Sequence, residues 1–275
     1  MRHSPSYGMM PPVYSALEQA IYEKDCVLNT TLRVVLISLL AGLGTGLGGL
    51  LAVVRKPGER SFGLLMGFAS GVMIALSFMG LLAEAWAQSG YLVATLGFAA
   101  GAIVMLAIDV LTPHIRFSES EQAACDPRLF RSGMLIAIGI SIHNMPEGIA
   151  VGAGYLHAPQ FGLFIALAIA LHNIPEGIAT ALPLCKGGAS RWYSFRTAFL
   201  SGLIEPLGAL LAALVLGSFQ GLVPAALAFA GGVMTFLTFD ELVPTAREHG
   251  HEHYTAIGII LGATFILLLS GVFGV

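Results

Sequence analysis

Charged side chains are scarce in this chain. Asp, Glu, Lys and Arg together make up 11% of 275 residues, less than half the share of about 25% usual in soluble domains. So thin a polar complement excludes an ordinary water-soluble globule. The near-neutral formal charge of −3 gives no reason to expect a nucleic-acid partner. Cysteine is scarce too. Cys26, Cys125 and Cys185 stand far apart, with no CxxC pair, which excludes a disulfide framework and a thiolate zinc knuckle. The first 31 residues lack the basic start and apolar core of a cleavable signal, so no signal peptide is expected to be removed.

What is present is apolar length. Apolar residues make up 56% of the chain and the mean hydropathy is +0.82, values that belong in a bilayer. A helix crossing about 30 Å of hydrocarbon needs about 20 mostly apolar residues. Eight such stretches are expected, near residues 32–54, 62–86, 91–112, 132–155, 160–184, 195–217, 223–244 and 255–274. Their boundaries rest on charged or Gly/Pro-containing breaks such as Arg55-Lys56-Pro57-Gly58-Glu59-Arg60 and Lys186-Gly187-Gly188. The fold class is therefore all-α, a polytopic membrane protein with eight transmembrane helices in a compact bundle. Residues 1–31 form an N-terminal segment and residues 32–275 the membrane domain. In the segment, Ser15 and Glu18 have capping-box spacing and Val13, Tyr14, Leu17 and Ile21 share a helical face. An interfacial helix and a frayed end fit that pattern equally.

Positive charge divides the connections into two classes. Those after spans 1, 3, 5 and 7 carry Arg55, Lys56, Arg60, Arg116, Arg128, Arg131, Lys186, Arg191, Arg196 and Arg247, and those after spans 2, 4 and 6 carry none. By the positive-inside rule the first class is cytoplasmic, so both termini and the 1–31 segment are expected outside. Small residues recur four apart at Gly42/Gly46, Gly67/Gly71, Gly97/Gly101, Gly148/Gly152 and Gly258/Gly262, a pattern that permits close helix approach.

The chemistry is concentrated in a hexapeptide that occurs twice: His143-Asn144-Met145-Pro146-Glu147-Gly148 in span 4 and His172-Asn173-Ile174-Pro175-Glu176-Gly177 in span 5. Ionisable groups at membrane depth cost several kcal/mol unless paired, solvated or bound to an ion. His at i and Glu at i+4 share one helical face and can grip one ion together. Imidazole nitrogen with carboxylate oxygen suits Zn²⁺, Fe²⁺, Mn²⁺, Co²⁺, Ni²⁺ or Cd²⁺ rather than Mg²⁺ or Ca²⁺. Asn144 and Asn173 add amide oxygens, and the two glutamates are placed to bridge neighbouring ions. Each proline frees a carbonyl one turn back, at Ile142 and Leu171, and a kink is expected there. Consecutive spans run antiparallel, so the two copies face each other across a pseudo-two-fold axis in the membrane plane.

Further acids lie beyond the pair. Glu205, before Pro206 in span 6, is deep in an apolar helix, and a functional role is expected of it. Asp240 and Glu241 lie late in span 7, ahead of His249, His251 and His253 in the next loop. They form either a cytoplasmic exit site or a solvated polar helix end and loop. Asp109, His114 and Glu84 are read as helix-end residues.

At the paired hexapeptides the sequence resembles the ZIP (Zrt/Irt-like) family of divalent-metal transporters, in particular its bacterial ZupT/GufA-like branch. The resemblance extends over Gly67-Phe68-Ala69-Ser70-Gly71-Val72-Met73, Glu205-Pro206-Leu207-Gly208 and Asp240-Glu241-Leu242-Val243-Pro244. It implies a binuclear mid-membrane site. One metal would contact Met73, His143, Glu147, His172 and Glu176, and its neighbour Asn144, Glu147, Asn173, Glu176 and Glu205. Met73 enters on the resemblance alone. The family's long His-rich loop between spans 3 and 4 is reduced here to His114. The resemblance further implies Zn²⁺, with Cd²⁺, Fe²⁺ or Mn²⁺, as the ion bound and carried into the cytoplasm by alternating access.

The competing class is an intramembrane di-metal enzyme, in which a metal-bound water is activated. A zinc protease is disfavoured because Glu occupies the i+4 place of the second His, and the Glu-x-x-His order of di-iron proteins is reversed. A sensor would lack a soluble domain to relay its signal. The expected partners are divalent ions and the lipid bilayer, with a homodimer left open. The expected location is a plasma membrane, as in a bacterial inner membrane.

Overall fold

The computed structural model describes residues 16–55, 57–111, 127–249 and 251–275. Expectations that fall on residues 1–15, on Lys56, on 112–126 with His114, Arg116 and Cys125, or on the side chains of 16–27, Arg128, Arg131 and His249 lie outside the described residues.

Helix is the only regular structure among the described residues. The order is α1 (Ala16–Val54), α2 (Glu59–Ala75), a π-helical stretch (Leu76–Leu82), α3 (Ala83–Leu111), α4 (Pro127–His157), α5 (Pro159–Lys186), α6 (Arg191–Gly202), α7 (Glu205–Ser218), α8 (Val223–Leu237), a second π-helical stretch (Thr238–Leu242), α9 (Val243–His249) and α10 (Glu252–Phe273). Six stretches among the described residues are long and apolar enough to cross a membrane: Leu28–Val54, Glu59–Leu111, Pro159–Lys186, Arg191–Ser218, Gln220–Glu248 and Glu252–Phe273. Glu59–Leu111 is 53 residues long, about twice what one crossing needs. It is broken at Gly90, whose φ of 79° and ψ of 169° belong to a region that only glycine enters easily. Pro127–His157 is a further helix of 31 residues, with the first hexapeptide at its centre.

Local sequence explains several ends. Ser190 caps α6, its hydroxyl accepting from the Tyr193 backbone N–H at 3.1 Å. Proline opens α5, α7 and α8, where its missing N–H costs nothing. α1 runs unbroken for 39 residues from Ala16, about 58 Å at 1.5 Å per residue. It is longer than the hydrocarbon, and no break in it marks the 31/32 boundary.

The helices associate in two groups. α1 packs along α5, α4 against α5 and α7, and α6 against α1. In the other group α2 packs along α10 and α3 along α8. Contacts of α4 with α8 and of α2 with α5 join the groups. All five of the small-residue pairs lie at helix contacts. At Gly148 an added Cβ would collide with the Glu205 carbonyl, and at Gly177 with the Thr45 carbonyl.

Polarity runs from the inside outward, the reverse of a soluble protein. Leu36, Leu40 and Leu47 of α1, Leu96 and Ile103 of α3, and Ile260 and Leu268 of α10 are exposed, whereas His143, Asn144, Glu147, His172, Asn173, Glu176 and Glu205 are buried. An apolar exterior around an ionisable centre suits a chain solvated by lipid.

Candidate metal site

The two hexapeptides meet because glycine follows each glutamate. With no side chain at Gly148 or Gly177, α4 settles on the backbone of α7 at Glu205 and Ala209, and α5 on that of α1 at Thr45 and Gly49. Glu147 and Glu176, one residue earlier in each helix, are thereby held in the interior, 0% and 2% exposed.

Glu147, His172 and Glu176 converge. One ligand atom from each lies within 4.8 Å of the others, and all three residues are buried. His172 Nε2 is 3.0 Å from Glu147 Oε1 and 3.5 Å from Glu176 Oε1. The second separation is the i, i+4 pair expected from the spacing, and the first joins the two copies. Each carboxylate keeps its second oxygen without a hydrogen-bond partner, as does His172 at Nδ1. Unpartnered buried oxygens cost about 1–3 kcal/mol each, and a cation among them would remove that cost.

Glu205 lies beside this cluster, fully buried, with both oxygens engaged. Ser38 Oγ donates to Oε1 at 3.1 Å and Asn173 Nδ2 donates to Oε2 at 2.9 Å. Asn173 Nδ2 also reaches the Ala41 carbonyl at 3.1 Å, and Asn144 Nδ2 reaches the Ser201 carbonyl at 2.8 Å. Both amide oxygens remain unpartnered. With their N–H groups anchored to backbone, the asparagines have oxygen to offer an ion.

His143 does not join the three. Its Nδ1 lies 3.4 Å from Glu241 Oε2, so the first hexapeptide's imidazole turns toward the π-helical stretch that follows α8. Met73 is 1% exposed in α2, which packs on α5. Asp240 is exposed, and Glu241 is partly so. His251 and His253 are exposed with ring centres 5.6 Å apart. Of this outer set Glu241 reaches a hexapeptide residue, His143.

The helices behave differently at their prolines. α4 and α5 continue unbroken through Pro146 and Pro175, whereas the interruption falls at Leu203 and Ile204, between α6 and α7 and just before Glu205-Pro206. There the Leu203 and Ile204 N–H groups turn back to Leu200 and Ser201 at 3.2 and 3.3 Å. Pro206 offers no N–H to Gly202, so the helix ends there and restarts with Glu205 in its first turn, at the positive end of the helix dipole.

Sequence reasoning missed Ser38 and Ser201. The first was detectable as one of two hydroxyl residues, with Thr45, in the apolar run of span 1. The second acts through its backbone carbonyl, which leaves no trace in side-chain type.

A family model described as ZIP zinc transporter matches residues 113–270. The chain is 41% identical over 254 residues to the zinc transporter ZupT of Corynebacterium aurimucosum, an alignment covering 86% of this chain and 95% of that protein. It is 39% identical over 272 residues to the zinc transporter ZupT of Akkermansia muciniphila, covering 89% and 99%. A plant protein, the zinc transporter ZTP29 of Arabidopsis thaliana, is 37% identical over 249 residues, covering 82% and 89%.

Proposed function

The chain belongs to the ZIP zinc transporter family, and from that premise we propose that it carries Zn²⁺ and related divalent transition metals into the cytoplasm through a binuclear site at mid-membrane. The observation that carries the proposal is the convergence of Glu147, His172 and Glu176 within 4.8 Å in the buried interior. Three mixed nitrogen and oxygen donors suit a borderline-soft cation. One ion takes these three with His143 and Met73, and its neighbour takes Asn144, Asn173 and Glu205 with the two glutamates shared. Asp240, Glu241, His249, His251 and His253 then receive the ion on its way out, the contact between His143 and Glu241 linking the two stations. The homologues named as transporters favour this reading, and no observation favours the enzyme.

Eight crossings support the transport path better than six. The break at Gly90 divides Glu59–Leu111 in two, and Pro127–His157 has the length of a crossing. With eight, the positive connections all fall on one side, which becomes the cytoplasmic one, and both termini lie outside. The membrane domain is then 32–275, with 1–31 extracytoplasmic.

A pseudo-two-fold axis through α4 and α5 is supported by a repeat in sequence and packing. Phe68-Ala69-Ser70-Gly71-Val72-Met73 of α2 recurs as Phe229-Ala230-Gly231-Gly232-Val233-Met234 of α8, and a π-helical stretch follows each. Gly262 of α10 meets the Phe68 carbonyl as Gly101 of α3 meets the Phe229 carbonyl. Gly48 meets the Ile174 carbonyl as Gly208 meets that of Met145. Inverted repeats around a central site are the architecture of alternating access.

Zinc uptake by purified protein in liposomes tests the function. The native chain is expected to show saturable uptake and Glu176→Ala to abolish it while inserting normally; unchanged uptake in that variant would remove Glu176 from the path.

A further inference from the structure

We infer that Thr45 is an additional donor to the second ion position of this site and that its hydroxyl helps set the ranking of cargo ions, an inference that rests on the binuclear transport reading above. Thr45 is 0% exposed, and its Oγ1 has no hydrogen-bond partner. A buried hydroxyl is ordinarily satisfied, and this one, at the contact of α1 with Gly202, is not.

Its place follows from the repeat. Gly42-Leu43-Gly44-Thr45-Gly46-Leu47-Gly48 of α1 lies over Gly202-Leu203-Ile204-Glu205-Pro206-Leu207-Gly208 of α6 and α7 in the same register. The contacts are reciprocal. A Cβ on Gly42 would collide with the Gly202 carbonyl, and one on Gly202 with the Gly42 carbonyl. The first would also lie 3.4 Å from Glu205 Oε2 and the second 3.1 Å from Thr45 Oγ1. The asparagines obey the same exchange: Asn173 anchors on the Ala41 carbonyl beside Gly42, and Asn144 on the Ser201 carbonyl beside Gly202. Thr45 therefore stands to Asn144 as Glu205 stands to Asn173. In one half the acid is bonded to its asparagine at 2.9 Å. In the other, Thr45 Oγ1 and Asn144 Oδ1 are both unpartnered.

Asn144, Glu147, Asn173, Glu176 and Glu205 supply five oxygen-bearing donors to the proposed site, and Thr45, the counterpart of Glu205 in the repeat, is the sixth. Six oxygens suit Mn²⁺ better than Zn²⁺, which is content with four donors. A neutral hydroxyl in place of a second carboxylate also adds no charge to the cage, which favours release of an ion that must leave.

Thr45→Cys tests the placement directly, in a background with Cys26, Cys125 and Cys185 changed to serine and with Co²⁺ as probe. If residue 45 touches the ion, a near-ultraviolet sulfur-to-cobalt charge-transfer band appears in the cysteine variant and is absent from the background protein. Visible cobalt d–d bands in both proteins without the sulfur band would overturn the inference while leaving the metal site standing. If neither protein binds Co²⁺, the binuclear reading itself falls and the inference falls with it. In liposomes, Thr45→Val is expected to raise the KM for Mn²⁺ about tenfold and that for Zn²⁺ much less, with Thr45→Ser restoring the native ratio. Equal effects of Thr45→Val on both ions, or none on either, would contradict the ranking role, and Thr45→Ser against Thr45→Cys carries the comparison should the valine variant not fold.

Discussion

Glu205 is a fully buried acid held by two neutral donors, Ser38 and Asn173. Removing Ser38's hydroxyl leaves one oxygen of a buried acid without its partner. Ser38→Ala is therefore expected to destabilise the protein by about 1–3 kcal/mol, whereas Ser218→Ala, which removes an exposed hydroxyl bonded within its own helix, should be close to neutral. Thermal unfolding in detergent measures both, and equal shifts would contradict this account of Glu205. The residue scale was also the most legible in sequence. His143, Glu147, His172, Glu176 and Glu205 were conspicuous because ionisable groups are costly in apolar helices. The partner of His143 was not legible, since Glu241 reaches it only through the packing of α4 on α8, and no local spacing encodes that.

Among the elements, glycine decides how closely the site-bearing helices approach. Gly148 lies against the Glu205 backbone, so Gly148→Ala is expected to force α4 from α7, costing about 1–3 kcal/mol and most of the zinc uptake. Gly217 has open space around the position of a Cβ, and Gly217→Ala should keep native uptake and gain slightly in helix propensity. Melting temperature and uptake for the pair check this; a silent Gly148→Ala would show the contact to be slack. The recurring glycine pairs announced these contacts in sequence. The π-helical stretch Leu76–Leu82 gave no such signal, because an inserted residue turns the helical phase by about 100° and a run so nearly all apolar has no stripe in which that turn would show. The break before Glu205 was signalled by Pro206, but Pro146 and Pro175 carry the same signal in helices that continue. Proline removes a hydrogen bond in every case, and the neighbouring helices determine whether the helix survives the loss.

For the molecule as a whole, the two helix groups are tied along α4. His143 contacts Glu241 at 3.4 Å, and about four turns further along the same face His157 Nε2 contacts Glu84 Oε1 at 2.8 Å. Glu147 lies between these ties and moves with α4. If transport shifts one group against the other, joining residues 84 and 157 should arrest it. With Glu84→Cys and His157→Cys in a background free of other cysteines, a short bis-methanethiosulfonate, which forms a disulfide with each thiol and expels methanesulfinate, is expected to stop zinc uptake and reduction to restore it. Uptake that continues through the cross-link would rule out movement at this seam. The all-helical, membrane-spanning character was legible in the hydropathy, but the division into groups was not, since it depends on which apolar faces meet. The central claim is that the paired hexapeptides hold the cargo ion. Zinc K-edge X-ray absorption tests it most directly, on zinc-loaded protein beside His143→Ala/His172→Ala. The account predicts imidazole scattering around zinc in the native chain, with bound zinc and that scattering both lost in the variant; an unchanged spectrum at full zinc occupancy would place the metal elsewhere.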